Sequence, residues 1–275
     1  MTHPFAHRIQ ASDGRSLPDL AELWRARESI RILALRDIKV RYKQTVLGVA
    51  WAIIQPLLTM IVFTVIFDRL AKVPSDGVPY PLFTFAALLL WQLYSGSVSV
   101  AASSLVSNAG LVTKVYIPRL VLPIYGVLPA LVDFCVALGL LFLLMLYYDV
   151  EPGISFLLLP LLVLLTVASA LSVGVWFASL NVKYRDVRYV VPFMLQLLMF
   201  LSPVVYTSSL VPDKWKLVYY LNPMAGIIDT FRWALLGQPD FPFIGISLAI
   251  GVTLLAGLLG LWHFQRTESE LADRI

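Results

Sequence analysis

Arg36, Lys39, Arg41 and Lys43 crowd one short stretch immediately ahead of the first long apolar run. If that stretch is helical, Arg36, Lys39 and Lys43 fall at i, i+3 and i+7 and share a face, with Arg41 close by. A basic face at a membrane surface suits an anionic headgroup, above all a diphosphate. Each cation near such a surface contributes about 1 kcal/mol, and arginine grips phosphate oxygens in bidentate fashion. Ordinary anchoring by cytoplasmic cations leaves the same pattern, so both readings stand. Asp133 is the one acid deep inside an apolar run, where an unpartnered charge costs several kcal/mol. It reads either as a proton or cation relay or as a protonated or hydrogen-bonded structural acid. The sequence offers no second acid, Lys or Arg at a similar depth.

Trp51, Phe63 and Phe67 in the first apolar run, and Phe193, Phe200 and Tyr206 in the fifth, are spaced to form a stacking track for sugar rings. Gln55 and Gln196 can reach hydroxyl groups along it. Aromatics at membrane-helix ends are usually interfacial belt residues, and those in the middle usually serve packing. Other chemistry is missing. No Gly-Lys dipeptide occurs, so the glycine-rich cradle for nucleotide phosphates cannot be made and the chain does not hydrolyse ATP alone. His3, His7 and His263 lie outside the apolar runs, carboxylates do not cluster, and Cys135 is the only cysteine. These absences disfavour an intramembrane enzyme, a metal centre and a disulfide.

The elements that must position these residues are membrane helices. Of the 275 residues, 59% are hydrophobic and 14% charged, against about a quarter charged in a soluble domain. A spanning helix needs roughly 20 apolar residues. Six stretches qualify: Gly48 to Phe67, Pro81 to Val100, Leu120 to Tyr148, Ile154 to Leu180, Val190 to Tyr206 and Phe243 to Trp262. The fold class expected is all-α and membrane-integral, with residues 1–47 a cytoplasmic segment, 48–262 the transmembrane domain and 263–275 a cytoplasmic tail. Pro56, Pro123, Pro129 and Pro203 suggest kinks rather than breaks.

Of the 21 Lys and Arg residues, nine precede the first span, and two, three and two more fall after spans 2, 4 and 6. The remaining five occupy the other loops, so both termini are expected in the cytoplasm. The first sixteen residues lack the features of a cleaved signal, so the N-terminus is expected to be retained. Ser16 to Asp19 caps an amphipathic interfacial helix bearing Leu20, Leu23, Trp24, Ile30, Leu33 and Ala34. Between spans 5 and 6, Asn222 as N-cap, Pro223 at N1 and Gly237 as stop frame an external re-entrant helix. Its Ile227, Ile228, Phe231 and Leu235 share one side, with Asp229 and Arg232 paired on the flank. Gly245, Ala249, Thr253 and Gly257 make a smooth ridge down span 6 whose partner the sequence does not identify.

Three stretches then become recognisable: RDIKVRYKQTVLGVAWAIIQPLLTMIVFTVIF from Arg36, PSDGVPYPLFTFAALLLWQLYS from Pro74 and NVKYRDVRYVVPFMLQLLMFLSPVVY from Asn181. Together with TKVYIPRLVLP from Thr113 and LNPMAGIIDTFRWALLG from Leu221, they resemble the permease subunits of ABC-2 type exporters of O-antigen and related surface polysaccharides. The resemblance runs from about Arg31 to Trp262. It implies a homodimer of six-span subunits in the bacterial inner membrane, with each subunit bound to a separate cytoplasmic ATPase that supplies the ATP and Mg site. It implies no nucleic-acid partner and no cofactor in this chain.

By the same resemblance, Asn108, Lys114, Tyr116, Pro118 and Arg119 form a coupling segment on the ATPase, with Lys183, Tyr184, Arg185 and Asp186 as a second contact. Tyr42, Leu47 and Gly48 match the cytoplasmic gate, beside the basic residues. Spans 1 and 5 line the conduit. The implied substrate is an undecaprenyl-diphosphate-linked glycan admitted at the gate. Capsular polysaccharide or teichoic acid is the nearest alternative, and a proton-coupled secondary transporter using Asp133 is the alternative of a different class.

Overall fold

The computed structural model describes residues 20–43, 48–112, 114, 117–238 and 240–274. The expected cap at Ser16 to Asp19, Leu47 of the expected gate and Tyr116 of the expected coupling segment lie outside them. The described residues form helices and their connections: α1 (Leu20–Arg25), α2 (Arg27–Lys43), α3 (Gly48–Leu70), α4 (Tyr80–Ser107), α5 (Ala109–Val112), α6 (Val121–Tyr147), α7 (Ile154–Lys183), α8 (Val187–Phe200), α9 (Asp213–Tyr219), α10 (Pro223–Leu236) and α11 (Phe243–Arg274).

Five of these, α3, α4, α6, α7 and α11, are long and apolar enough to cross a membrane. The fifth expected span begins and ends earlier than its apolar run. Helix α8 has 14 residues, about 21 Å of rise, and the chain turns after Phe200 instead of continuing to Tyr206. Pro203 therefore sits in a turn rather than a kink, while Pro56 is inside a continuous helix, where bundle neighbours compensate for its missing donor.

Helix α4 is the axis of the bundle. Of its apolar window 72% is buried, against 11% for α3, because α3, α6, α7, α8 and α10 all pack on it. Small residues set the spacing: a Cβ at Gly174 of α7 would come within 2.6 Å of the Ala101 Cβ on α4. The ridge on α11 finds its partners inside the same chain. Gly245 lies against Gly226 of α10 so closely that backbone meets backbone, and Gly257 lies against Ser172 of α7, whose hydroxyl donates to the Thr253 carbonyl at 3.1 Å.

Helix α10 starts and stops as its sequence predicts. The Asn222 side chain accepts from the Met224 amide at 3.1 Å, Pro223 follows at N1, and Gly237 takes the left-handed conformation at φ 67°. Its surroundings differ from the expectation. Ile227, Ile228, Phe231 and Leu235 are buried, but so are the residues on its other sides, because α4, α7 and α11 enclose it. Asp229 and Arg232 are buried as well and do not meet in an ion pair. Asp229 accepts from the Ser208 hydroxyl and from Tyr220 Oη at 3.1 Å. Arg232 donates through Nε and Nη2 to the Phe83 carbonyl at 3.1 and 3.0 Å, and through Nη2 to Val204 at 3.1 Å.

Candidate functional site: the α2 to α6 junction and its cavity

Helix α2 docks through Leu33 and Ala34, both buried. Leu33 joins Leu105, Val121, Leu122, Tyr125 and Phe264 in an apolar cluster, with Leu23 and Ile30 packed on its edge. Trp24, read as part of the interfacial face, points away from the bundle at 70% exposure, with the Arg27 guanidinium over its ring. This seat lays α2 alongside the first turns of α6. Leu33 meets the level of Tyr125, and two turns later Arg41 and Tyr42 meet Asp133.

Asp133 is therefore not alone at its depth, about 18 Å along α6. Arg41 Nη1 forms an ion pair with Oδ2, and Tyr42 Oη donates to Oδ1. Arg41 escapes a search by sequence position because it precedes the first span, and only the course of α2 along α6 brings it level. Partial burial, then the bond to Asp133, pushes the Tyr42 phenol up to about 12, so it remains a donor at neutral pH. Of the two readings of Asp133, the geometry fits the structural acid.

Behind this cluster lies a cavity of about 400 Å³ between α2, α3, α4 and α6. Arg41, Tyr42, Gly48, Trp51 and Gln55, all singled out in the sequence, line it. So do Gln92 and Ser95 of α4, which periodicity alone does not distinguish from packing residues. Gly48 has φ +50°, a conformation that glycine adopts without steric penalty, at the corner between α2 and α3. One cation, one carboxylate, a phenol, two amides, a hydroxyl and an indole suit a polar, hydroxyl-rich or anionic guest.

The other candidates are distributed elsewhere. Arg36 donates to Asp37 at 2.9 Å and to Asn108 Oδ1 at 3.3 Å, while Lys39 and Lys43 are exposed. The four cations thus do not act as one face: Arg41 alone lines the cavity. Phe63 and Phe67 stack edge to face at 5.6 Å farther along α3. Phe193, Gln196 and Phe200 are exposed on one side of α8, and none of them lines the cavity. Tyr206 packs near Tyr219, with ring centroids 6.4 Å apart.

In the segment expected to couple to an ATPase, Lys114 is exposed and Pro118 and Arg119 are half-buried. Asn108 turns inward instead, donating to Ser104 O and Tyr125 Oη, both at 2.9 Å. Its side chain is occupied within the chain. Lys183, Tyr184, Arg185 and Asp186 are exposed between α7 and α8.

With this geometry in place, comparison with known proteins gives a consistent result. A family model described as "ABC-2 type transporter" matches residues 28–236. The chain is 31% identical to an "O-antigen export system permease protein RfbA" of Myxococcus xanthus over 252 residues, covering 90% of this chain and 96% of the relative. A protein of the same description from Klebsiella pneumoniae is 27% identical, with 88% and 93% covered. The "Polysialic acid transport protein KpsM" of Escherichia coli is 23% identical, with 88% and 95% covered.

Proposed function

Because the chain belongs to the ABC-2 type transporter family, we propose that it is the membrane subunit of an ATP-driven exporter of lipid-linked surface polysaccharide. The observation that carries this reading is the near end-to-end match to an O-antigen export permease, with 90% of this chain and 96% of the relative aligned. ATP binding and hydrolysis, with the Mg ion they require, fall to a separate cytoplasmic ATPase. Two permease copies and two ATPase copies make the working unit, placed in the bacterial inner membrane with both termini inside.

In this reading the short helix α8 and the turn after it complete a sixth crossing, and α10 is the re-entrant helix of the external side. The α2 to α6 junction is the gate through which the glycan's lipid-linked end is admitted from the inner leaflet. A polymer outgrows a cavity of this size, so the cavity serves the leading end, and sugars then pass along weak aromatic and amide contacts at Trp51, Gln55, Phe63, Phe193, Gln196 and Phe200. The exposed Lys114 and the Lys183 to Asp186 corner are the ATPase-facing surfaces. The proton-coupled alternative loses support from Asp133, whose carboxylate is already held by Arg41 and Tyr42.

The test is complementation. In a strain whose own O-antigen permease is deleted, this chain and its cognate ATPase are expected to return polysaccharide to the cell surface and to clear it from the cytoplasm. Parallel strains that make capsule or teichoic acid identify the glycan. Failure in all of them, with the complex correctly assembled, overturns the reading.

A further inference from the structure

The Asp133 carboxylate is held as a bound anion is held. Two donors from consecutive residues of one helix converge on its two oxygens, Arg41 on Oδ2 and Tyr42 on Oδ1. The pair stands at the edge of the cavity rather than deep in the bundle, with 43% of the Arg41 side chain and 32% of the Asp133 side chain exposed. Among the described residues, Arg41 is also the only cation lining that cavity. Any anionic guest that enters meets a single positive group, and that group already carries a carboxylate of the chain. A phosphate ester offers more negative charge and more acceptor oxygens than a carboxylate, so it competes for the same donors.

We propose that Asp133 holds the place of the ligand's phosphate. A phosphate or diphosphate ester entering the cavity takes Arg41 and Tyr42 from Asp133 and so unlatches α2 from α6. The released carboxylate then faces a second anion across a short gap, and their repulsion moves the two helices apart. Arrival of the ligand and opening of the junction are one event. Gln55, Gln92, Ser95 and Trp51 are left to contact the sugar or the remaining phosphate oxygens. That the phosphate belongs to a lipid-linked glycan rests on the function proposed above; the exchange at Arg41 does not.

Two measurements on the permease–ATPase complex in lipid nanodiscs test this. The first is the affinity for farnesyl diphosphate, inorganic diphosphate and farnesol. Removing the competing carboxylate in Asp133→Asn is expected to tighten farnesyl diphosphate about fivefold, the worth of a half-exposed ion pair. Arg41→Gln is expected to abolish that binding, and farnesol is expected to be insensitive to both. Unchanged or weaker binding by an assembled Asp133→Asn complex overturns the proposal. Inorganic diphosphate binding as tightly as the lipid form supports the exchange and overturns the lipid source.

The second measurement leaves the latch intact. Cys135, exposed on α6 two residues from Asp133, and Lys39→Cys on α2 accept spin labels. Their separation is expected to lengthen with farnesyl diphosphate and not with farnesol, and a constant distance in the presence of bound ligand overturns the unlatching. An exchange that behaves as expected in a chain that exports no polysaccharide defeats the functional reading alone. Export without tighter binding in Asp133→Asn defeats the latch alone.

Discussion

Two arginines, one buried and one half-exposed, sit at different levels of α4, and they are held in opposite ways. Arg232 lies near Phe83 at the start of that helix and is 1% exposed. Its partners are two backbone carbonyls and the Phe83 ring, 3.3 Å from the guanidinium carbon. Arg41 lies beside the middle of α4, is 43% exposed along its side chain, and is held by one carboxylate on a neighbouring helix. A fully buried charge is costly to strip of its partners, whereas a pair that lines an open cavity is within reach of a competing anion. The α10 side of the bundle therefore serves as a fixed frame, and the α2 junction is the part proposed to move.

The largest effect that tests this contrast belongs to Gly226. A side chain there drives into the Gly245 carbonyl of α11, backbone against backbone, so neither partner can yield. Gly226→Leu is expected to leave almost no monodisperse protein after solubilisation. Gly139→Ala and Gly251→Ala, whose Cβ would meet nothing within 4 Å, are expected to behave as wild type. If Gly226→Leu assembles normally, the α10 side of the bundle is not a rigid frame.

Next comes Arg232→Met, which removes the charge but keeps much of the volume. It leaves the Val204 carbonyl and the added acceptor site on Phe83 unpaired, for a loss of about 3 kcal/mol. Arg232→Lys is expected to recover little, since one ammonium does not reproduce the fork that spans two carbonyls. Thermal unfolding of the purified complex reads both.

The fixed half was also the more legible in the sequence. Asn222, Pro223 and Gly237 announce the start and stop of α10 because caps act through neighbours in the chain. Trp51, Gln55, Arg41 and Gly48 were identifiable as members of a site from residue type and from family resemblance. Contacts across distance were not legible. Asp133 and Arg41 are 92 residues apart, and nothing local to either says that α2 runs along α6. Arg232 was read as a flank residue for the same reason: a helix with an apolar stripe gives no sign that it will be enclosed on its other sides. Helix α8 shows the remaining weakness, since an apolar run sets how far a helix is able to extend, not where the chain turns.

Asn108 gives an intermediate effect. It caps α4, opens the proposed coupling segment, and reaches both Arg36 on α2 and Tyr125 on α6. Asn108→Ala is expected to lower stability by about 1 kcal/mol while cutting the ATP-driven export rate several times more than the hydrolysis rate. Equal losses in both rates make Asn108 only a helix end. Arg41→Gln and Asp133→Asn, each alone and together, are expected to show a coupling energy of about 1 kcal/mol in a double-mutant cycle. A coupling near that of a buried pair, about 3 kcal/mol or more, removes the distinction between the two arginines.

The smallest expected effect is the most discriminating for the gate. Lys39 and Lys43 are exposed on α2 and do not line the cavity, so they act on an anionic ligand only through the field near the membrane surface. Each contributes about 1 kcal/mol to attraction at that surface, and salt screens it. Lys39→Gln with Lys43→Gln is expected to leave unfolding unchanged and to slow export by a few fold at low ionic strength, with the deficit shrinking as salt is added. Arg41→Gln is expected to stop export at any salt concentration, because the group it removes contacts the ligand directly. If the double lysine variant proves the more damaging of the two, and remains so at high salt, the headgroup is read on the outer face of α2, and the cavity behind Asp133 is not its entrance.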